Sequence, residues 1–213
     1  MHYRFSEGVL IIFTKAPITG QVKTRLQPDL SSDEAVAVYV DLTQMTLDRA
    51  FSSALCPVQL HCSPNSDHPF FRQCALDYPL TLHDQHGGNL GERMLSALTK
   101  ALSHYRYTLL IGCDCPSLTA TDISEAFQAL QAGNDVVIAP ADDGGYVLIG
   151  MKQPHEILFT NITWGNSEVM SQTRTLANLA GLRLHELRSQ WDVDTVEDWR
   201  RWINNRNCDL TAC

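Results

Sequence analysis

The chain has 213 residues, a formal net charge of -8 and a pI near 5.4, so its summed field repels polyanions and argues against a general nucleic-acid or acidic-membrane binder. With 44% hydrophobic and 19% charged residues it has the composition of a soluble globular protein, of a length that suits one domain with its own core. The first 30 residues hold only a five-residue apolar run, Val9 to Phe13, far short of the ~20 needed to span a bilayer.

Taken in chain order, the apolar runs predict strands at Val9–Phe13, Pro57–Cys62, Pro79–His83, Tyr107–Ile111, Asp135–Pro140 and Tyr146–Met151. Several lack polar alternation, which predicts strands covered on both faces. Helix signals lie between them. Ser31 and Glu34 have capping-box spacing, and Ala35, Tyr39, Leu42, Met45 and Arg49 or Ala50 follow at steps of three and four. Leu90, Met94, Leu98, Ala101 and Tyr105 predict a second helix. Thr119 with Asp122 starts a third, which Gly133 ends, and Thr195 with Asp198 starts a last one. Strands alternating with helices predict an α/β fold: a three-layer α/β/α arrangement around a mostly parallel sheet. One domain over residues 1–213 is expected, with the closing NRNCDLTAC loose. Seven cysteines, odd in number and irregularly spaced, read as reduced thiols. A cytoplasmic protein without a membrane span is the expectation.

Ligands of such sheets bind beyond the carboxyl ends of the strands, so the residues after each strand matter most. The first strand is followed by TKAPITGQVKTRL, where Pro17 and Gly20 punctuate a loop carrying Lys15, Lys23 and Arg25. No acidic residue occurs from Gly8 to Pro28, an imbalance that suits a phosphate guest better than a plain solvated loop. Backbone N–H groups can meet phosphate oxygens there while lysine adds point charge and arginine a bidentate fork. The stretch is not a P-loop, since GQVKT separates the glycine from the lysine, and no GxGxxG follows any strand.

After YTLLI comes GCDCPSLT. Asp114, at the end of a central buried strand, is well placed to offer oxygen to a hard cation; a turn or helix-cap aspartate is the alternative. Cys113 and Cys115 lack a second pair at zinc spacing and read as small buried thiols. ADDGGY makes a hairpin signal, so one antiparallel strand is expected in the parallel order. In WDVDTVEDW, either Asp192 or Asp194, which have strand spacing, could complete a metal site with Asp114. Glu197 and Asp198 suit the N-terminus of the last helix. His61, His83 and His86 read as structural, and Trp191, Trp199 and Trp202 as anchors of that helix.

These motifs, KAPITGQVKTRL, GGNLGERM, GCDCPSLT, APADDGGYVLIG, ITWGNSEVM and WDVDTVEDW, resemble in order the GT-A-like nucleotide-diphospho-sugar transferase superfamily, over about Val9 to Trp199. The nearest group is the radical-SAM/selenodomain-associated transferases, which are predicted glycosyltransferases. Phospholactate and molybdenum-cofactor guanylyltransferases and the sugar-acid cytidylyltransferases are more distant. The resemblance implies a Rossmann-like GT-A fold with a nucleotide held by Lys15, Gly20, Lys23, Thr24 and Arg25, and approached by Gly91 and Arg93. It implies Mg²⁺ or Mn²⁺ on Asp114 and Asp194, and a sugar or acceptor pocket of Asp143, Gly144, Gly145 and Tyr146, joined by Trp164 and Ser167. The chain departs from the pattern at Asn89, where aspartate is expected, and at Val196, where proline is usual.

The expected activity is glycosyl transfer from a nucleotide-diphospho-sugar to a small-molecule acceptor, with Lys23 and Arg25 assisting departure of the phosphate and Asp143 a candidate general base. The alternatives are nucleotidyl transfer from a nucleoside triphosphate with release of pyrophosphate, and a module that binds a nucleotide without turnover.

Overall fold

Strand β1 (Gly8–Lys15) buries every residue but its last, because its two faces are covered by different helices. Leu10 and Ile12 join one buried cluster with Tyr39, Leu47, Phe71 and Phe127, while Val9, Ile11 and Phe13 join another with Met94, Leu98, Met170 and Ala177. This period-two division produces the expected three layers. The computed structural model describes residues 2–27 and 29–211, the side chains of 207–211 excepted.

Helices α1 (Ser32–Phe51), α2 (Pro69–Asp77) and α4 (Ala120–Gln131) cover the first face of the sheet; α3 (Leu90–Leu102) and α5 (Val169–Leu179) cover the second. The remaining strands are β2 (Val58–Ser63), β3 (Thr81–Asp84), β4 (Tyr107–Ile111), β5 (Val136–Pro140), β6 (Tyr146–Met151) and β7 (Leu184–Glu186). They form one seven-stranded sheet in the order β3-β2-β1-β4-β6-β5-β7. Only β6 runs against its neighbours, pairing antiparallel with both β4 and β5, as the ADDGGY turn predicts.

Local chemistry sets the helix ends. Ser31 and Glu34 complete a reciprocal capping box at α1, and Thr119 and Asp122 do the same at α4. Asp122 also receives two hydrogen bonds from the Arg188 guanidinium, at 2.7 Å each, which tie α4 to the segment after β7. The final helix α6 (Val196–Thr211) follows a Thr195–Asp198 hydrogen-bonded turn. Trp202 packs with Val193 and Leu42 of α1, and Trp191 and Trp199 flank that cluster, so the tryptophans do anchor α6. The expectation of a loose end concerns residues whose last two, 212–213, lie outside the described residues, and for 207–211 only the helical backbone is described.

Three elements go beyond the sequence pattern. Helix α2 begins with proline after a His68 cap, a start signal that the short segment leaves without clear periodicity. Helix α5 buries Val169, Met170, Thr173 and Ala177, a face diluted by threonine and alanine. Strand β7 has three residues, too few to display alternation. No helix among the described residues is long and apolar enough to cross a membrane.

Candidate active site

Beyond the carboxyl end of β1 the chain turns back on itself. The Ala16 N–H donates to the Ser63 carbonyl at 2.7 Å, anchoring the loop to the end of β2. Gly20 takes a positive φ of 78° in open space, and Gln21 N–H closes a turn onto Ile18. Lys23 then adopts a left-handed backbone, φ 48° and ψ 38°, and a short 3-10 turn, Thr24–Leu26, follows. A non-glycine residue in this region is strained by roughly 1–3 kcal/mol and persists only where its surroundings hold it. Buried Leu26 holds one side. The Lys23 ammonium holds the other, donating to Asp114 Oδ2 at 2.9 Å and to the Val193 carbonyl.

The Lys23 side chain is only 5% exposed. Burial pulls its pKa down, but the Asp114 carboxylate, by charge and by hydrogen bond, more than offsets this and leaves the pKa raised. The lysine is therefore a permanent cation. Among the described residues, the N–H groups of Lys23, Thr24 and Arg25 donate to no protein acceptor. A left-handed residue followed by right-handed ones turns such consecutive N–H groups toward a common point, a concavity suited to an anion.

This loop walls a cavity of about 650 Å³. Of the residues the sequence singles out, Lys15, Lys23, Thr24, Arg25, Arg93, Asp114 and Asp194 line it together. Asp114 arrives at the end of β4, and its carbonyl accepts the Val193 N–H at 2.9 Å, drawing the WDVD segment to the strand end. That segment has no strand partners at Asp192 or Asp194, so strand alternation does not govern it. Asp194 pairs with Arg25 in the cavity wall, whereas Asp192 is not part of the wall. Burial, then the Asp114 and Asp143 carboxylates, push Asp192 up to about 7, with Lys23 opposing.

The two wall carboxylates offer hard oxygen donors of the kind Mg²⁺ and Mn²⁺ take. Among the described residues no group of three or more histidine, cysteine or acidic side chains gathers for a metal. Two carboxylates fit an ion that completes its shell with water and ligand phosphate, the usual habit of Mg²⁺. The Cys113 and Cys115 thiols are buried and burial raises both pKa values, so they are packing groups, as expected.

Two residues the motifs miss organise the same wall. The Tyr39 hydroxyl accepts the Lys15 N–H at 2.6 Å, lies 2.9 Å from Thr14 Oγ1 and receives the Cys113 thiol at 3.3 Å. It thereby joins the ends of β1 and β4 through α1. Gln85 spends its amide hydrogens on the main-chain carbonyls of Thr14 and His61, at 3.1 and 2.9 Å. Tyr39 reads in sequence as an ordinary buried helix position, and Gln85 carries no signal at all. Asn89, the departure from aspartate, caps α3 by accepting the Glu92 N–H at 2.9 Å, a task its neutral amide does as well as a carboxylate.

The expected acceptor residues form a second group outside the cavity wall. Gly145 N–H donates to Asp143 Oδ1 at 2.8 Å. Gly144, at φ 89°, sits so close to Ser167 that a Cβ would come within 2.1 Å of its carbonyl oxygen. Tyr146 meets Trp164 edge to face at 6.2 Å, and its buried hydroxyl has no hydrogen-bond partner among the described residues. Gly91 does not line the cavity either. A Cβ there would fall 2.4 Å from Trp164 Nε1, so Gly91 lets the indole pack against the start of α3, where Leu90 and Arg93 face the cavity. Gly20 is likewise absent from the wall; its part is the turn. His61 is buried and stacks between Phe13 and His83, at 5.8 and 4.9 Å.

With that geometry in place, residues 46–166 match the profile of the family described as "Uncharacterized protein conserved in bacteria (DUF2064)". The chain belongs to this family. It superimposes on a crystal structure from Desulfovibrio desulfuricans G20, provisionally named a nucleotide-diphospho-sugar transferase, with TM-score 0.84 and 32% identity over 91% of this chain and 85% of that one. The fold extends to CMP:2-keto-3-deoxy-manno-octonic acid synthetase complexed with CTP, TM-score 0.59 and 12% identity, covering 94% of this chain and 100% of that one. It extends also to 4-diphosphocytidyl-2C-methyl-D-erythritol synthase from Anaerococcus prevotii DSM 20548, TM-score 0.56 and 12% identity, covering 89% and 94%. No curated protein matches the chain. The fold is thus that of the nucleotide-diphospho-sugar transferases, Rossmann-like with one antiparallel strand, as the sequence predicts.

Proposed function

We propose that the chain is a metal-dependent glycosyltransferase that takes a nucleotide-diphospho-sugar as donor, within the radical-SAM/selenodomain-associated branch of its superfamily. The observation that carries this reading is the convergence of Lys23, Arg25, Asp114 and Asp194 on one cavity at the carboxyl ends of β1 and β4. Four groups of opposite sign at one point suit a ligand that brings both a cation and phosphates. The name of the relative from Desulfovibrio desulfuricans supports a sugar donor.

In this reading Asp114 and Asp194 hold Mg²⁺ or Mn²⁺, which when bound supplies charge neutralisation on the leaving diphosphate. Lys23, Arg25 and the free N–H groups beside them meet the phosphate oxygens and stabilise the charge that develops as the sugar C–O bond breaks. Asp143, exposed beside the glycine turn, takes the proton of the acceptor hydroxyl as its oxygen bonds to the sugar carbon. Tyr146 and Trp164 contribute an aromatic wall to the acceptor side.

Nucleotidyl transfer is a second reading, favoured by one observation. The cavity wall holds four cations, Lys15, Lys23, Arg25 and Arg93, more than a diphosphate needs. A thermal-shift panel of nucleoside triphosphates and nucleotide sugars, with and without Mg²⁺ or Mn²⁺, tests both. A ligand at 100 times its Kd adds about 2.7 kcal/mol of stability. Glycosyl transfer requires a metal-dependent shift from a nucleotide sugar, lost in Asp114→Ala, with nucleoside diphosphate released on turnover. Pyrophosphate release from a triphosphate would favour the second reading. Binding without turnover of any acceptor would point to a nucleotide-binding module.

A further inference from the structure

Two of the four cations in the cavity wall, Lys23 and Arg25, are already paired with the carboxylates that the wall offers a metal. Lys23 holds Asp114 at 2.9 Å, and Arg25 holds Asp194. The pairs are two crossings between the same two walls, the loop after β1 on one side and the ends of β4 and the WDVD segment on the other. Those latter two are joined to each other through Val193 N–H and the Asp114 carbonyl. The four groups together carry no net charge. A carboxylate matched by a cation at ion-pair distance attracts a divalent ion less than a bare one, and a matched cation attracts phosphate less.

We infer that Lys23 and Arg25 are built-in counter-ions that exchange partners on binding: a metal takes their places at Asp114 and Asp194, and both cations turn to the phosphates of the same ligand. The inference rests on the phosphate-and-metal reading above and adds to it that neither half of the ligand binds well alone. The exchange asks least at Arg25. All four side chains line one cavity, Arg25 is 71% exposed, and the two carboxylates are 36% and 42% exposed. Lys23, 5% exposed, gives up the Val193 carbonyl as well as Asp114 when it turns. Because coupling is reciprocal, phosphate raises the affinity for metal by the factor by which metal raises that for phosphate.

Isothermal titration of the full chain with Mn²⁺ alone, inorganic pyrophosphate alone, and each in the presence of the other measures that factor. For wild type it is expected to be at least tenfold. In Arg25→Met, Mn²⁺ alone binds severalfold tighter than to wild type, pyrophosphate alone binds more weakly, and the factor falls toward one. Opposite signs for the two ligands are the mark of a counter-ion, since a merely structural arginine would weaken both. Arg25 is exposed enough to be removed without unfolding the chain, and Lys23→Met repeats the test at the buried pair. Independent binding of Mn²⁺ and pyrophosphate to wild type overturns the exchange and leaves the donor site standing. Loss of both affinities in Arg25→Met overturns it as well. If wild type binds neither ligand, separately or together, the donor-site reading falls and the exchange with it.

Discussion

Lys23 and Asp114 meet at 2.9 Å across 91 residues of chain, and they meet unequally: the lysine side chain is 5% exposed, the aspartate 36%. Whichever partner is deleted, the other stays behind in a different environment. Asp114→Ala strands a buried ammonium, a loss in the range of about 3–5 kcal/mol. Lys23→Met leaves a carboxylate that water can reach and costs about 1–3 kcal/mol. Urea unfolding of the two variants compares them directly, and equal losses would refute the asymmetry.

Tyr39→Phe removes one hydroxyl and three contacts. A buried donor left without a partner costs about 1–3 kcal/mol, here chiefly at the Lys15 N–H. The specific expectation is local: the Lys15 amide exchanges hydrogen faster in the variant while amides in the middle of β4 keep their protection. Uniformly faster exchange would mean that Tyr39 supports the whole fold rather than the loop.

Gly91 sets two rules against each other. Within a helix, alanine is favoured over glycine by roughly 0.8–1.0 kcal/mol, so propensity alone predicts that Gly91→Ala stabilises. The Cβ would fall 2.4 Å from Trp164 Nε1, so packing predicts a loss and a displaced indole. A lower melting temperature with an altered near-UV signal is expected. A higher one would show that Trp164 moves aside freely.

Acid should weaken the protein partly through His61. Burial first, and then the nearby His83, Lys100 and His86, lower its pKa from 6.5 to about 3. The folded state therefore keeps His61 neutral where the unfolded chain takes up a proton. The stability this provides is fully present above pH 6.5 and is lost as pH falls toward about 3. Between those limits the slope is at most about 1.4 kcal/mol per pH unit, one proton's worth. His61→Gln, although less stable at pH 7, should show a shallower fall from pH 6.5 to 4 in urea titrations. An unchanged slope would place the acid sensitivity elsewhere.

What could be read in advance was local. The run VLIIF, the Ser31–Glu34 and Thr119–Asp122 boxes and the ADDGGY turn each act within a few residues, and each folds as its pattern predicts. The cationic loop was legible because its charges stand out from a chain of net charge -8. Which of Asp192 and Asp194 lines the cavity was not, because their spacing is compatible with either and only the fold places Asp194 in the wall. Gln85 escaped for a related reason. Its partners, the Thr14 and His61 carbonyls, lie 71 and 24 residues away, and a main-chain acceptor leaves no trace in side-chain identity. Helix α5 and strand β7 were lost to a diluted face and to brevity.

The cavity draws on residues from Phe13 to Asp194, and Arg25 and Asp194 are 169 residues apart. A chain emerging from the ribosome amino end first therefore makes its cationic loop early and cannot complete the cavity wall until Asp194 is out. Until then Asp114 is already there for Lys23, while Arg25 lacks the carboxylate it pairs with in the finished wall. Truncation before Asp192 should accordingly leave Arg25 open to any passing anion while Lys23 stays neutralised by Asp114.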